Sequence, residues 1–367
     1  MAKSPKFRNS SAKDVEADLV LNDSEAPVAA SSAAPTLSTW EKIRRAFRSQ
    51  SGWLFVAPAV ILMLIFTIYP IIQAFVIAFQ QNYEMTHLDS FGNPVFDGWG
   101  FDNFVRVLKG DTGTGGADFM QCLVNTLILT FVSVPLSTLL ALLISVALNS
   151  IKALQKAYQT ILFLPYLTNA LAMGAVFATF FSYVGPRTSP DSYGLVNNFL
   201  GIFGIEPINW MSSGLSWKIG SISIPWANYI VMIVYEVWSG LPFKILILFS
   251  SLQSVNKQYY DAAKIDGASR STVLWKITAP MISPQISYLL VTGIMGGMKQ
   301  YTAVVGLFGE RMGYNNSYEM GTMVGYIYQY VNNGYTGYAF AGSLILFAII
   351  MVITAINLRV SAKRVSY

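Results

Sequence analysis

The stretch Tyr259–Pro280 reads YYDAAKIDGASRSTVLWKITAP, and the reading of the whole chain turns on it. Asn256 just before it is a good N-cap, and Lys257–Ile265 has a helix-compatible composition. Gly267 follows, the residue type that takes a left-handed C-cap without steric cost. Ser269 can cap a second short helix, which Pro280 is expected to end. Ala262, Ala263 and Ala268 leave little side chain on one face, so another backbone can approach closely. On this evidence alone the stretch is a polar helix-turn-helix between two longer apolar elements.

Its surroundings are strongly apolar. Of 367 residues, 53% are hydrophobic and only 12% charged, about half the roughly 25% charged residues of a soluble domain. The net charge of +5 is not gathered in one stripe, so it is not a nucleic-acid signature. The single cysteine, Cys122, excludes an internal disulfide framework, and the single histidine, His87, leaves no histidine cluster for a metal. Residues 1–50 are polar, with a Ser/Ala/Pro-rich stretch from Ser24 to Pro35, and are expected to be a disordered tail. The tail is expected to end in a short basic amphipathic helix, Trp40–Arg48, at the membrane surface. No apolar core near Met1 suggests a signal peptide.

Six apolar runs are each long enough to span about 30 Å of hydrocarbon. They are Trp53–Phe79, Cys122–Leu148, Ala157–Tyr183, Trp226–Leu252, Ile282–Val305 and Tyr338–Leu358. None alternates as the strands of a membrane barrel do, so helices are expected. The membrane-spanning unit therefore covers 51–361, with a short tail at 362–367. Thirteen lysines and arginines flank the runs on the side that carries Tyr259–Pro280, against six on the other. This puts both termini and that stretch in the cytoplasm. The outer loops Gln80–Gln121 and Val184–Pro225 are long, and read either as solvated connections or as a docking surface for an external protein.

With the spans in place, the spelling of the stretch acquires a meaning. Asp261-Ala262-Ala263, then Gly267-Ala268, then Ile277 and Pro280 resemble the cytoplasmic loop of binding-protein-dependent ABC importer permeases. Two positions depart: Asp261 stands where Glu is usual, and Ala279 where Leu is usual. The resemblance covers roughly 53–360. Asn125-Thr126, Phe163-Leu164-Pro165 and Gly194, Asn197 and Trp210 resemble the sugar-type branch. It implies an all-α transmembrane fold, a six-helix bundle with a cytoplasmic coupling helix. It also implies that Tyr260, Asp261, Ala262, Ala263, Asp266, Gly267 and Ala268 engage an ATPase in the loop 256–280. The implied partners are a second permease subunit in a heterodimer, two copies of an ABC ATPase, an extracytoplasmic solute-binding protein and the lipid bilayer of a bacterial cytoplasmic membrane.

No Gly-x-x-x-x-Gly-Lys-Ser/Thr loop occurs, and no Ser/His/Asp or Cys/His set can be assembled from one histidine. The chain is thus expected to be no enzyme and to carry no cofactor or metal, with ATP and Mg bound by a separate ATPase chain.

Intramembrane polar residues are costly and are functional candidates. Glu236 sits near the middle of the fourth run, with Ser239, Gly240 and Phe243 one to two turns on. Lys244, further on, is expected to snorkel toward the inner headgroups or to pair with Glu236. In the fifth run Gly293, Gly296, Gly297 and Gln300 fall at i, i+3, i+4, i+7, one helical stripe that suits either a cavity or tight helix packing. Counted from Gly267, these eight positions are the ones that the resemblance to maltose-type permeases assigns to sugar contact. The expected solute is a di- or oligosaccharide. Glycerol 3-phosphate is the alternative, although Glu236 suits an anion poorly. An ion-coupled secondary carrier would predict repeats with paired broken helices, and none is evident.

Overall fold

The computed structural model describes Trp40, Trp53 and residues 55–88, 94–110, 116–151, 155–183, 193–212, 214–220, 222–313 and 318–364. The expected tail and basic amphipathic helix lie outside the described residues, Trp40 excepted. The chain divides into two units, Met1–Thr67 and Ile68–Tyr367. An apolar helix, α1 (Phe55–Ala78), belongs to both and contains a π-helical turn at Leu64–Ile68. Every later element lies in the second unit.

A short helix α2 (Asp102–Lys109) ends on Gly110, whose φ of +70° is the left-handed cap that glycine allows. Helix α3 (Phe119–Ser150) begins on an Asp118 cap that accepts the Gln121 amide at 2.9 Å. Helix α4 (Gln155–Phe163) runs into a 3-10 turn, Leu164–Leu167, before α5 (Ala170–Phe180). A short α6 (Leu195–Ile202) and a hairpin pairing Trp217–Ile219 with Ile222–Ile224 lead to α7 (Trp226–Ser254). Helices α8 (Lys257–Ile265) and α9 (Arg270–Met281) form the hairpin at Tyr259–Pro280. Then come α10 (Ser283–Gly297), α11 (Thr302–Phe308), α12 (Met323–Asn332) and α13 (Thr336–Arg364).

Among the described residues four helices, α1, α3, α7 and α13, are long and apolar enough to cross a membrane. The two remaining runs are broken rather than straight. The α4 segment meets α5 at 100°, and α9 meets α10 at 72°, giving six spans if each bent pair is one. The third run breaks around Pro165 and Thr168, where Asn169 caps a new helix by accepting the Leu171 amide at 2.8 Å. The fifth run ends as a helix at Gly297, and α11 starts afresh at Thr302. Gln300 therefore lies in the connection and does not extend the glycine stripe, because the helical phase is lost before it. Helix α9, with a π turn at Leu274–Thr278, ends at Met281, one residue past Pro280. The last helix runs to Arg364.

The core is a stack of three clusters. Phe119, Tyr326, Tyr330 and Tyr338 gather α3, α12 and α13 at one end. Leu129, Phe177, Trp210 and Tyr235 join α3, α5 and α7. Leu142, Leu148, Ile245, Leu248, Ile282 and Leu289 close the end beside the hairpin. Helices α3 and α7 pack along much of their length, with Ser145 Oγ donating to Ile245 O at 3.2 Å across the pair. Backbones touch where α5 meets α11: a Cβ on Gly174 would sit 2.9 Å from the Gly306 backbone.

Candidate functional site

The hairpin folds as its local sequence dictates. Asn256 Oδ1 accepts the Gln258 amide at 3.0 Å, and Gly267 takes φ +68°. The Ala268 amide closes back on Ala263 O at 2.9 Å, and Ser269 Oγ accepts the Thr272 amide at 3.2 Å. The seven coupling candidates divide by face. Ala263 is buried, Tyr260 is half-buried within reach of Thr278 Oγ1 at 3.4 Å, and Ala268 is half-buried. Asp261, Ala262, Asp266 and Gly267 are exposed.

Ile265, which the sequence pattern does not single out, stands 87% exposed beside 53%-exposed Tyr259. With Ala262 between them, these residues make an apolar stripe on the outward face of α8, at spacing three. Behind the hairpin, the ends of α3 and α7 leave a cavity of about 460 Å³, lined among others by Asn149, Leu252, Tyr260, Lys264 and Arg270.

The second set of candidates lies where α7 and α10 face α3. Glu236 is 7% exposed, and its Oε1 has no hydrogen-bond partner among the described residues. Ser133 lies beside its carboxylate. Ser239, Gly240 and Phe243 are half-buried, and the Phe243 ring stacks on Tyr166 at 5.9 Å and 17°. Lys244 is buried rather than snorkelling and makes no direct ion pair with Glu236, although the two charges lie near enough to interact. Its Nζ crosses to α3, donating to Val134 O at 3.1 Å and to Ser137 Oγ.

The glycines of α10 are not equivalent. A Cβ on Gly293 would meet Val134 Cγ1 at 2.7 Å, and one on Gly297 would meet Thr130 Oγ1 at 2.8 Å, whereas Gly296 has open space. Two of the three thus form a close packing seam against α3. Gly240 is looser, with Ser137 Oγ 3.8 Å from its Cβ position.

Sequence reasoning missed α3's share of this region. Thr126, Thr130, Ser133, Ser137 and Ser145 repeat at helical spacing and are all buried. That hydroxyl stripe was present in the sequence as a signal. Ser133 and Thr130 hydroxyls, like Glu236 Oε1, lack a partner among the described residues.

Other motif residues turn out to be internal fastenings. Asn125 accepts from Gln121 Nε2 at 2.8 Å and from Tyr229 Oη at 2.6 Å, and donates to Glu319 O and Gly321 O at 2.8 Å each. Asn197 accepts from the Ile208 amide at 3.1 Å and from Trp210 Nε1 at 3.0 Å, so Asn197 and Trp210 pin their loop from inside.

A membrane bundle of four to six spanning helices, with a capped hairpin projecting an apolar stripe, is the frame of a multi-component transport permease. Residues 119–367 match the model of the family described as binding-protein-dependent transport system inner membrane component, and the chain belongs to that family. Among its relatives, the arabinooligosaccharides transport system permease protein AraP of Bacillus subtilis is 29% identical over 329 residues, 86% of this chain and 93% of that protein. The lactose transport system permease protein LacF of Rhizobium radiobacter is 29% identical over 257 residues, 69% of this chain and 74% of LacF. The fold matches a chain of the bacterial alginate ABC transporter, crystallised with its alginate pentasaccharide-bound periplasmic protein. That match has a TM-score of 0.67 at 24% identity and covers 89% of this chain and 97% of that one.

Proposed function

We infer that this chain is the membrane-spanning permease of an ATP-driven importer that carries a di- or oligosaccharide across a bacterial cytoplasmic membrane. The observation that carries the reading is the α8 hairpin: a capped helix presenting Tyr259, Ala262 and Ile265 outward, as a subunit contact does. An ATPase seated on that face moves α8, and through the Gly267 turn and α9 it rocks the bundle between inward- and outward-facing states. The working assembly is a second permease, two ATPase copies and an extracytoplasmic binding protein, with both termini of this chain cytoplasmic. Relatives named for arabinooligosaccharide and lactose transport support a sugar as solute. The pathway is the region between α3, α7 and α10. Glu236, Ser239 and the open side of Gly296 and Gly240 contact the solute, together with Phe243 and, at the outer end, Gln300, while Gly293 and Gly297 hold the helices close.

Lys244 is the observation that favours glycerol 3-phosphate or another anion. Its ammonium is already spent on Val134 O and Ser137 Oγ, which leaves the neutral sugar ahead. Reconstitution with the partner permease, ATPase and binding protein in proteoliposomes tests the reading. ATP-dependent uptake of arabinotriose, lactose or trehalose is expected. Uptake of glycerol 3-phosphate and of none of these sugars overturns the solute class. Uptake driven by an ion gradient without ATP overturns the mechanism.

A further inference from the structure

Residues 310–312 and Tyr318, which follow α11, line with the outward face of α12 a second, polar cavity, distinct from the region between α3, α7 and α10. It holds about 260 Å³ and is lined chiefly by Tyr301, Glu310, Arg311, Tyr328, Gln329 and Asn332. The α8–α9 hairpin is at the other end of the molecule: Asn149 and Ser150 of α3 border the hairpin cavity, whereas Gln329 Oε1 accepts the Ala117 amide, just before α3 begins, at 2.9 Å. The 32 residues of α3 separate the two by about 48 Å of helix.

Three features of this cavity belong together. Tyr301 and Tyr328 are stacked face to face, with centroids 4.4 Å apart and planes at 8°. Tyr328 remains 49% exposed in that stack, so about half of the residue is open to a ligand. Around the stack stand groups of both hydrogen-bonding senses: a carboxylate in Glu310, a five-donor guanidinium in Arg311, the amide of Asn332 with donor and acceptor, and the amide of Gln329, whose Oε1 also accepts from Ala117.

The third feature is backbone strain. Among the described residues only Asn82, Met312 and Tyr318 combine positive φ with a side chain, and Met312 (φ +47°) and Tyr318 (φ +56°) both line this cavity. Non-glycine residues in the left-handed region are uncommon and gather at functional sites, because the surroundings must over-determine them. Here the Met320 amide holds Met312 O at 2.8 Å, and the Gly321 amide holds Tyr318 O at 2.8 Å.

We propose that this cavity is a saccharide-binding subsite at the end of the permease away from the coupling hairpin, taking one residue of the incoming sugar before it enters the pathway. A pyranose ring offers an apolar C–H face to the exposed Tyr328 and a rim of hydroxyls that both donate and accept. An aromatic platform ringed by amides, a carboxylate and a guanidinium meets both demands. The volume lies just under the roughly 300–1,000 Å³ of small-molecule pockets, which suits one sugar residue rather than a chain. The proposal rests on the sugar-import reading above.

The test uses the assembled complex in lipid nanodiscs, with lactose and arabinotriose as probes. Saturation-transfer NMR without the binding protein reports direct contact, and proteoliposome uptake with it reports function. Tyr328→Ala and Asn332→Ala alter exposed side chains, so the complex should assemble normally. Each is expected to weaken the transfer signal about fivefold, while Tyr328→Phe retains it. Unchanged transfer in both alanine variants, with wild-type uptake intact, overturns the subsite and leaves the import reading standing. Unchanged transfer with reduced uptake also overturns it, because the patch then serves the binding protein instead. Failure of the wild-type complex to take up any sugar removes the import reading, and the subsite with it.

Discussion

The α8–α9 hairpin and the α3–α7–α10 seam are both rich in small residues, and they use them in opposite ways. At Gly267 a Cβ would meet nothing within 4 Å, so glycine is there for its φ of +68°. At Gly293 and Gly297 the backbone is ordinary helix, and glycine is there because α3 side chains occupy the space a Cβ would take. One region is specified by local backbone chemistry, the other by a neighbour far away in the chain. The contrast also separates stability from motion. A change at Gly267 meets no neighbouring atoms, whereas a side chain at Gly293 or Gly297 forces Val134 or Thr130 of α3 to give way.

The largest expected effect belongs to the first half of that contrast. Gly267→Val puts a β-branched residue where φ is left-handed, at a cost of roughly 1 kcal/mol or more, with no clash to relieve elsewhere. The helix pair must rotate to recover a permitted φ, and α8 then leaves its seat. Solute-stimulated ATP hydrolysis should be lost while the complex assembles at wild-type yield. Gly267→Asn, which tolerates the left-handed region, should keep much of the activity. Wild-type stimulation in the valine variant would remove the hairpin from coupling.

At the seam the effect should fall on stability. Gly297→Leu drives a side chain into Thr130, an overpacking of about 1–3 kcal/mol, so thermal stability should drop together with uptake. Gly296→Leu, one residue earlier, points into open space and should leave melting within about 0.5 kcal/mol of wild type. If the open side of Gly296 is the pathway, uptake should still fall. Equal melting of the two variants would erase the distinction between packed and open glycines.

Glu236→Gln comes next in size. The amide keeps an acceptor and gains donors, so a neutral sugar still finds a partner. Losing one charge-assisted hydrogen bond of about 1.5 kcal/mol should lower uptake about tenfold. Unaltered uptake would make Glu236 a structural residue of the seam.

The legibility of the fold in the sequence divides along the same line. Asn256, Gly267 and Ser269 are readable as caps and are caps, because capping is decided within a few residues. The six apolar runs are visible because hydrocarbon selects composition. The breaks after Leu167 and Gly297 are not. Pro165 and Thr168-Asn169 mark the first only as a short polar interruption, and Lys299 and Gln300 mark the second no more strongly. Periodicity therefore assigns Gln300 to a helix that has already ended. The partners of Lys244 are equally hidden: Val134 and Ser137 lie more than a hundred residues away. Phe163-Leu164-Pro165 is recognisable as a motif, but not as the lead-in to a 100° bend. Ile265 escapes notice for another reason. One apolar residue on a short polar helix is commonplace in a sequence and becomes informative only when it is 87% exposed.

The smallest effect tests how locally the hairpin is encoded. Asn256 Oδ1 satisfies the Gln258 amide, one of the first-turn donors of α8 that have no intrahelical acceptor. Asn256→Ala leaves that donor to water and should cost about 1 kcal/mol, confined to the first turn of α8. Amide exchange at Gln258 and Tyr259 should then rise about fivefold, with α9 and the spans unchanged. Asn256→Ser, which supplies an oxygen acceptor at the same place, should restore protection. Coupled ATP hydrolysis should fall by a similar modest factor, because the frayed turn must re-form against the ATPase. Should the alanine variant instead loosen α9 or α10, the hairpin is held by its tertiary contacts, such as Tyr260 with Thr278. The line between local and distant specification would then fail at its clearest point.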